Sequence, residues 1–515
     1  LKEYDLIAIG SGVGLTVLSQ AVGTGLKCAL VEKDKIGGTC LTRGCIPSKV
    51  LVHPADLIRE AEHAEKVGLK FKLASRPDWA LIAKRMWSQI DESKEMEHGL
   101  ERTKNVDVYR DVGWFTSPYE MEVATAPGQD RVSIRGAKIV IASGARTSIP
   151  PIAGLDATGY VSNESFFGEK FPKKPYKSLL IIGGGIIAAE FAHIFSAMDT
   201  AVAIVQHNTR LVPSEEPEVS AMLERNFQRF GIKVFTNKDI LEAKKEKSKK
   251  YLVMQDRTTG EKEQVEGEEI LLATGRKSNA DLLKVENAGI ETDNHGYIVT
   301  NEFLETNVPN IWCIGDANGK FQFRHKANLE AEICINNVLG DRDRKATMEY
   351  SATPWAIFTH PQIAHVGMTE REAIDKGLEI YVAHKHYSSV ANGFALGYDE
   401  GDEDDGFCKL VVSKDRKIVG ASVIGPNAAV LLQSVVYLMN AGIDCAIPTG
   451  DGKLQHVSSY ACPDAGSVLP LYRSQVIHPS LAEVVGWATG ALRPVNVTGL
   501  EYHHHHEHEE EKEEP

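Results

Sequence analysis

Residues 37–49 read GGTCLTRGCIPSK, with Cys40 and Cys45 five positions apart between a Gly-Gly pair and Pro-Ser-Lys. On an unbroken α-helix, residues at that spacing have Cα atoms roughly 8–9 Å apart. A disulfide needs a Cα separation of about 4.4–6.8 Å. A bridge between these thiols therefore requires a bent entry, with Gly44 supplying the bend and the helix beginning near Pro47, a residue suited to a first turn. A helix N-terminus also lowers a thiol's pKa and makes it reactive. The stretch predicts a redox dithiol at a helix start, in preference to two buried structural cysteines.

Working outward, a nucleotide-type unit lies upstream. An apolar strand over 5–9 leads into Gly10-Ser11-Gly12-Val13-Gly14, an apolar helical run over 15–23, and a second strand over 27–31 that ends at Glu32. Glycines at this turn let the backbone approach a pyrophosphate at the helix N-terminus, and an acid such as Glu32 binds a ribose hydroxyl. Leu15 stands where the fingerprint has a third small residue. A second copy follows at 179–195, LLIIGGGIIAAEFAHIF, with Gly183, Gly185 and Ala188 at the three positions. The next strand, 201–205, ends in Gln206-His207 with Arg210 nearby. An acid there favours NAD and an arginine favours NADP. Gln206 does neither cleanly, so these residues leave NAD and NADP undecided. Two nucleotide units around a dithiol make a redox chain of a flavin and a nicotinamide.

The chain has 515 residues, 43% hydrophobic and 25% charged, which predicts about three globular domains. A net charge of −14 without a basic stripe argues against a nucleic-acid partner. Eight cysteines in this length do not make a disulfide scaffold and fit a reducing compartment. No apolar run is long enough to span a bilayer and no signal peptide precedes the first strand, so a cytoplasmic protein is expected. No metal-ligand set is read from the spacings.

Helices are predicted over 48–67 and, as one long element, 79–104. Strands are predicted over 106–112, 121–124, 131–134 and 138–141, before a boundary at Pro150-Pro151. Residues 242–269 read as a solvated hairpin, 270–274 and 311–314 as apolar strands, and 325–338 as a helix. From Met348 the alternating strands (356–358, 380–386, 406–413, 417–424) and helices (369–376, 428–440) predict an α+β domain. Residues 399–405 read as a solvated acidic tip, and the HHHHEHEEEKEEP end as a tail that packs no core.

These features together resemble the FAD-dependent pyridine nucleotide-disulfide oxidoreductases, and within them the dihydrolipoamide-oxidising members. The resemblance rests on residues 37–49, the glycines and acid of 183–190, Ala273-Thr274-Gly275-Arg276, Gly315-Asp316, His325-Lys326 and His478-Pro479 with Glu483. It implies an α/β fold with two Rossmann-like dinucleotide-binding domains and a C-terminal α+β dimerisation domain. The implied boundaries are 1–155 with 277–345 for FAD, 156–276 for NAD(P), 346–498 for the interface, and 499–515 for a disordered tail. It implies a homodimer with shared active sites, in which His478, oriented by Glu483, reaches the partner's dithiol as a base. Cys40 is implied to be the interchange thiol and Cys45 the thiol beside the flavin. FAD contacts are implied for Glu32, Lys49, Gly113, Ser143, Gly144, Asp316 and His325. The nicotinamide cofactor is implied to lie along Gly183, Gly185 and Glu190, with Gln206 and Gly275; Lys49 is expected to pair with Glu190.

The implied activity is reversible electron transfer from dihydrolipoyl groups, on a lipoyl domain or a small dithiol, to NAD+. Alternatives are an NAD(P)H-driven reductase of another small disulfide, a mercuric reductase-like enzyme, and a non-enzymatic FAD-binding redox sensor. Mercury delivery wants a C-terminal thiol pair, yet no cysteine follows Cys462. A flavin transhydrogenase would not need the dithiol. The chain departs from the resemblance at Thr42-Arg43, where Asn-Val is usual. There a cation is expected to lower a nearby thiol's pKa and favour an anionic substrate. It departs also at Ile186, at Gln206, and in about twenty extra residues over 449–473.

Overall fold

The computed structural model describes residues 1–71, 77–340, 345–440, 446–448, 454–456, 466–468, 484–485 and 488–495. His478, Glu483, Cys462 and the tail lie outside these residues.

Three sheets organise the chain. In the first, Lys2–Ile9 pairs in parallel with Cys28–Val31 on one side and Arg131–Ile141 on the other, with Val106–Tyr109 and Ile311–Cys313 continuing the parallel set. Burial on both faces explains the apolar runs at 6–9, 28–31, 139–141 and 311–313. Glu120–Ala124 and Trp114–Ser117 add an antiparallel flank. The two strands expected at 131–134 and 138–141 are one strand, Arg131–Ile141. Arg135 and Gly136 hold their pairing with Glu3 and Tyr4, so the glycine does not interrupt the ladder.

The second sheet, Lys233–Phe235, Ala201–Val205, Ser178–Ile182 and Glu269–Leu272, is wholly parallel. The expected solvated hairpin is instead a three-stranded antiparallel sheet, Lys238–Glu246, Lys249–Asp256 and Lys262–Gly267. Its charged residues alternate with buried Ala243, Leu252 and Met254, which pack on Leu180, Ile182 and Val205. The chain enters and leaves this region through Ala145–Thr147 and Arg276–Ser278, which are hydrogen-bonded to each other as an antiparallel ribbon.

The third sheet is antiparallel throughout, in the order Pro354–Ile357, Ile363–Gly367, Ile418–Ile424, Phe407–Ser413, Ile380–His386 and Arg493–Val495. The expected acidic tip is tied down: Asp404 takes Lys66 and Arg229, each at 2.8 Å, and Asp405 accepts from Ser388 Oγ at 2.6 Å. The single helix expected over 79–104 is two, Trp79–Ile90 and Glu92–Arg102. The first buries Trp79, Ile82, Met86 and Ile90, whereas the second buries only Ser93. Among the described residues no helix is long and apolar enough to cross a membrane.

Charged groups join the second sheet's helices to the third sheet. Buried Lys409 meets Glu216 at 2.9 Å, Glu218 at 2.6 Å and Glu370 at 2.8 Å. Beside this cluster Trp355 Nε1 donates to Glu215, whose other oxygen is 3.6 Å from His365 Nδ1. Burial pushes the Glu215 carboxyl up from 4.5 to about 7; the Trp355 hydrogen bond opposes this and the Glu216 charge adds to it. Between those two values the native state keeps a proton that the unfolded chain has released, so stability falls as pH rises across the window. The loss is absent below about pH 4.5, complete above about pH 7, and amounts to about 3 kcal/mol. Glu215→Gln is therefore expected to unfold at a higher temperature than the native sequence at pH 8 and at nearly the same temperature at pH 4.5. An equal difference at both pH values would exclude Glu215 as the source.

Candidate active site

The two glycine turns obey the same constraint. Gly10 has φ +98°, and a β-carbon there would lie 2.2 Å from Ala142 O; Gly183 has φ +107°, with Ala273 O at the same 2.2 Å. Each glycine passes against the backbone of a neighbouring strand's exit, which a side chain would block. Gly12 and Gly38 pack back to back, a β-carbon on Gly38 falling 2.6 Å from Gly12 Cα. A β-carbon on Gly185 would meet nothing within 4 Å, so the start of helix Ile186–Ala197 is open. Such turns receive phosphates on their backbone N–H groups.

A cavity of about 860 Å³ connects these turns to the dithiol. Its wall includes Gly10, Gly12, Glu32, Gly113, Ser143, Gly144, Asp316 and His325, then Cys40, Cys45 and Lys49, and finally Gly185, Glu190 and Gly275. Gly14, Gly183 and Gln206 are not on the wall. Gly14 opens helix Gly14–Gly23 behind it, and Gly183 is packed beneath Ala273. The volume lies at the upper end of small-molecule sites, about 300–1,000 Å³, and suits a two-nucleotide cofactor. Ser143 Oγ is buried in this wall without a protein hydrogen-bond partner. The Glu32 carboxylate accepts from Ser11 N at 2.8 Å, Ser11 Oγ at 2.7 Å and Asp34 N at 2.8 Å. A carboxylate offers about four acceptor positions, so capacity for a ribose hydroxyl remains. The residues present fit FAD.

The Asp316 turn is held from below. Glu330 accepts from Gly315 N at 2.7 Å, Asn318 Nδ2 at 2.8 Å and Tyr350 OH at 2.6 Å, and its charge is met by Lys326 at 3.1 Å. Lys326 also donates to Gly315 O at 3.1 Å. Both side chains are fully buried. Asp316 itself lies 3.6 Å from Arg276. His325 lines the cavity while its Nε2 is 2.6 Å from Pro354 O and its ring stacks on Phe323.

The helix carrying the dithiol runs Cys45–His63, two residues earlier than the expectation based on Pro47. A separate turn, Gly38–Thr42, carries Cys40, so the bend falls at Arg43 and Gly44. Both cysteines are free thiols. Cys45 is drawn down to about 7, first by the hydrogen bond from Cys40 and then, against burial, by the Lys49 ammonium. Cys40 is pushed up by the bond it gives Cys45 and by burial, while Arg324 and Lys49 pull it down. The pair is polarised, with its negative charge on Cys45 at the helix start. Lys49 Nζ is 2.9 Å from both oxygens of Glu190, one of which also accepts from Phe358 N.

Arg43 does not serve the thiols as its position suggested. Its guanidinium is ion-paired with Asp34, which leaves the thiols to Lys49 and Arg324. Gln206 is buried against Gly184, and its Nε2 is 3.4 Å from Arg210 O. Arg210 donates to Pro213 O at 2.7 Å and Glu215 O at 3.2 Å, and His207 pairs with Asp239 at 2.7 Å. Ser11, Glu330 and Arg324 belong to the site and were not anticipated. Only Glu330 carried a local signal, its i,i+4 spacing from Lys326.

Two nucleotide turns and a polarised dithiol around one cavity define a flavin-dependent thiol redox fold, and the sequence comparisons agree. The chain belongs to the pyridine nucleotide-disulphide oxidoreductase family, which residues 4–331 match, with its dimerisation domain matched by 353–451. The chain is 30% identical over 497 residues to the dihydrolipoyl dehydrogenase of Chlamydia pneumoniae, covering 96% of this chain and 98% of that protein. It is 29% identical over 455 residues to the mycothione reductase of Mycobacterium tuberculosis, covering 87% and 95%. In fold it is similar to the HOCl-induced flavoprotein disulfide reductase RclA from Escherichia coli, with a TM-score of 0.76 at 24% identity over 95% of this chain and 99% of that one. The protein is an NAD(P)-dependent flavin disulfide oxidoreductase with a dimerisation domain.

Proposed function

We propose that this oxidoreductase passes electrons from dihydrolipoyl groups, on a lipoyl domain or as a small dithiol, through Cys40 and Cys45 to NAD+. The reaction is reversible. The observation that carries the reading is the polarised thiol pair at a helix start, inside the cavity that joins both nucleotide turns. Gly10, Gly12, Gly14, Glu32, Gly113, Ser143, Gly144, Asp316, His325 and Lys49 hold FAD. Bound FAD supplies a two-electron acceptor between the dithiol and the nicotinamide. Gly183, Gly185, Glu190, Gln206 and Gly275 hold the nicotinamide dinucleotide.

A substrate thiolate attacks Cys40 Sγ in the oxidised pair, and Cys45 leaves as a thiolate favoured by Lys49 and the helix start. The proton is taken by His478 of the partner subunit, oriented by Glu483, as the family resemblance assigns. The unit is a homodimer with domains at 1–155 with 277–345, 156–276 and 346–498. Free buried thiols at Cys28, Cys313, Cys334 and Cys408 suit a reducing cytoplasm.

Anaerobic kinetics with NADH and NADPH against lipoamide, small-thiol disulfides and Hg(II) test the reading. Turnover of lipoamide above the others is expected; failure of every disulfide by the FAD-loaded protein overturns it. NAD is the expected partner, because Arg210 is engaged in its own turn and Asp239 takes both the His207 ring at 2.7 Å and the Arg257 guanidinium at 3.6 Å. NADH is expected to exceed NADPH in kcat/KM by at least about tenfold. Asp239→Ala, which frees the Arg257 guanidinium and the His207 ring, is expected to narrow that ratio; an unchanged ratio would remove Asp239 from the discrimination.

A further inference from the structure

We propose that Arg324 selects for a carboxylate on the dithiol that reacts at Cys40, so that among lipoyl-type dithiols one carrying a free carboxylate is preferred over its amide. The inference rests on the oxidoreductase reading above and names the substrate's charge.

Four arginines line the cavity, and three are already committed. Arg43 is ion-paired with Asp34, Arg146 grips both oxygens of Asp281 at 2.8 and 2.7 Å, and Arg276 lies 3.6 Å from Asp316 and bonds Ala145 O. Among the described residues Arg324 has neither a carboxylate nor a hydrogen-bond acceptor. It is the first residue of helix Arg324–Leu339, half-buried in the cavity wall. The rings on either side of it in sequence, Phe323 and His325, stack on each other with centroids 5.7 Å apart and planes 6° apart. Both flanking residues are thus held, His325 also by Pro354 O.

Its charge acts on Cys40. The hydrogen bond to Cys45 and burial push that thiol up, and Arg324 is the leading opposing influence, ahead of Lys49. Lys49 is meanwhile held by both oxygens of Glu190 and acts on Cys45. Lys49 therefore acts on both thiols, and Arg324 leads at Cys40. A guanidinium matches the two oxygens of a carboxylate, and a single positive charge balances that group without surplus.

The second half of dithiol oxidation uses the same charge. After the first attack, substrate sulfur is bonded to Cys40 and Cys45 carries the first electron pair. The substrate's second thiolate then attacks its own bonded sulfur. A substrate disulfide forms, the bond to Cys40 breaks, and Cys40 leaves as a thiolate beside Arg324. Two electrons have moved from substrate to enzyme dithiol, and two protons have left the substrate thiols for the base and solvent.

Alkylation of the reduced, FAD-loaded protein separates charge recognition from turnover. Iodoacetate and iodoacetamide differ by one carboxylate, and modification at Cys40 is read by mass spectrometry. Arg324→Gln is expected to lower the iodoacetate-to-iodoacetamide rate ratio by about tenfold, the effect of one charge-assisted hydrogen bond. Arg324→Lys, which keeps the charge, is expected to recover most of it, with flavin absorbance verifying that each variant is folded and loaded. An unchanged ratio in Arg324→Gln overturns the proposal. In turnover, the kcat/KM ratio of dihydrolipoate to dihydrolipoamide is expected to fall by a similar factor in Arg324→Gln, and a ratio that stays constant also overturns it. Failure of both dithiols with the unaltered protein would instead count against the lipoyl reading, while the alkylation ratio still reports on Arg324.

Discussion

Replacing Cys45 by serine is expected to reduce dithiol–disulfide turnover by more than about a thousandfold while FAD remains bound. A serine hydroxyl forms no disulfide with Cys40 and leaves poorly as an alkoxide, so electrons from the substrate have no path inward. The cradle around the cavity is built by other residues, from Gly10 to Asp316, and does not depend on the thiol. Flavin absorbance of the purified variant and anaerobic turnover with lipoamide give the two readouts. Turnover within tenfold of the native rate would remove the dithiol from the mechanism. A serine at Cys40 is expected to be as inactive for a different reason: the substrate loses the sulfur it attacks, although the serine hydroxyl can still donate to Cys45.

Glu330→Ala is expected to destabilise the protein by about 3–5 kcal/mol, because it strands the Lys326 ammonium in a site with no exposure. The same change releases Gly315 N, Asn318 and Tyr350, which all donate to that carboxylate. The turn carrying Asp316 then loses its support, so FAD is expected to dissociate more readily as well as the unfolding temperature to fall. Thermal unfolding with and without added FAD measures both effects. The paired replacement Lys326→Met with Glu330→Leu removes the stranded charge and is expected to recover part of the stability but little of the FAD affinity. A single variant that costs less than about 1 kcal/mol would show that Lys326 finds another partner.

Local grammar was readable, and long-range partnership was not. The Gly10 and Gly183 turns and the strand–helix units around them each write their constraint within a few residues, and the structure forms these units as expected; the helix after the dithiol begins at Cys45, two residues earlier than read. Strand Arg131–Ile141 was divided because glycine is read as punctuation, yet pairing with Lys2–Ile9 carries the ladder across Gly136. Lys–Glu alternation over 242–269 looked like a solvated hairpin, since the buried Ala243, Leu252 and Met254 acquire meaning only against Leu180 and Val205. Lys49 and Glu190 are 141 positions apart, and resemblance rather than pattern paired them. Arg43 was credited with a role beside the thiols that Asp34 cancels and Arg324 takes up. Nothing in the sequence around Arg324 indicates that its guanidinium lacks a carboxylate, because that depends on which acids the fold gives to the other arginines.

The ribbon of Ala145–Thr147 and Arg276–Ser278 has a consequence for how this architecture could be altered. The chain departs for the second parallel sheet and returns from it at adjacent, hydrogen-bonded strands, about 4.8 Å apart. The whole intervening segment is therefore a cassette with both ends at one address. A foreign cassette with different coenzyme preference could be spliced in at the ribbon without moving the strands that carry Gly10, Ser143 or Asp316. Its remaining obligations would include an acid for Lys49, an acceptor for Trp355, two carboxylates for Lys409, a cation for Asp404, and an apolar face for Leu51, Trp79 and Met86.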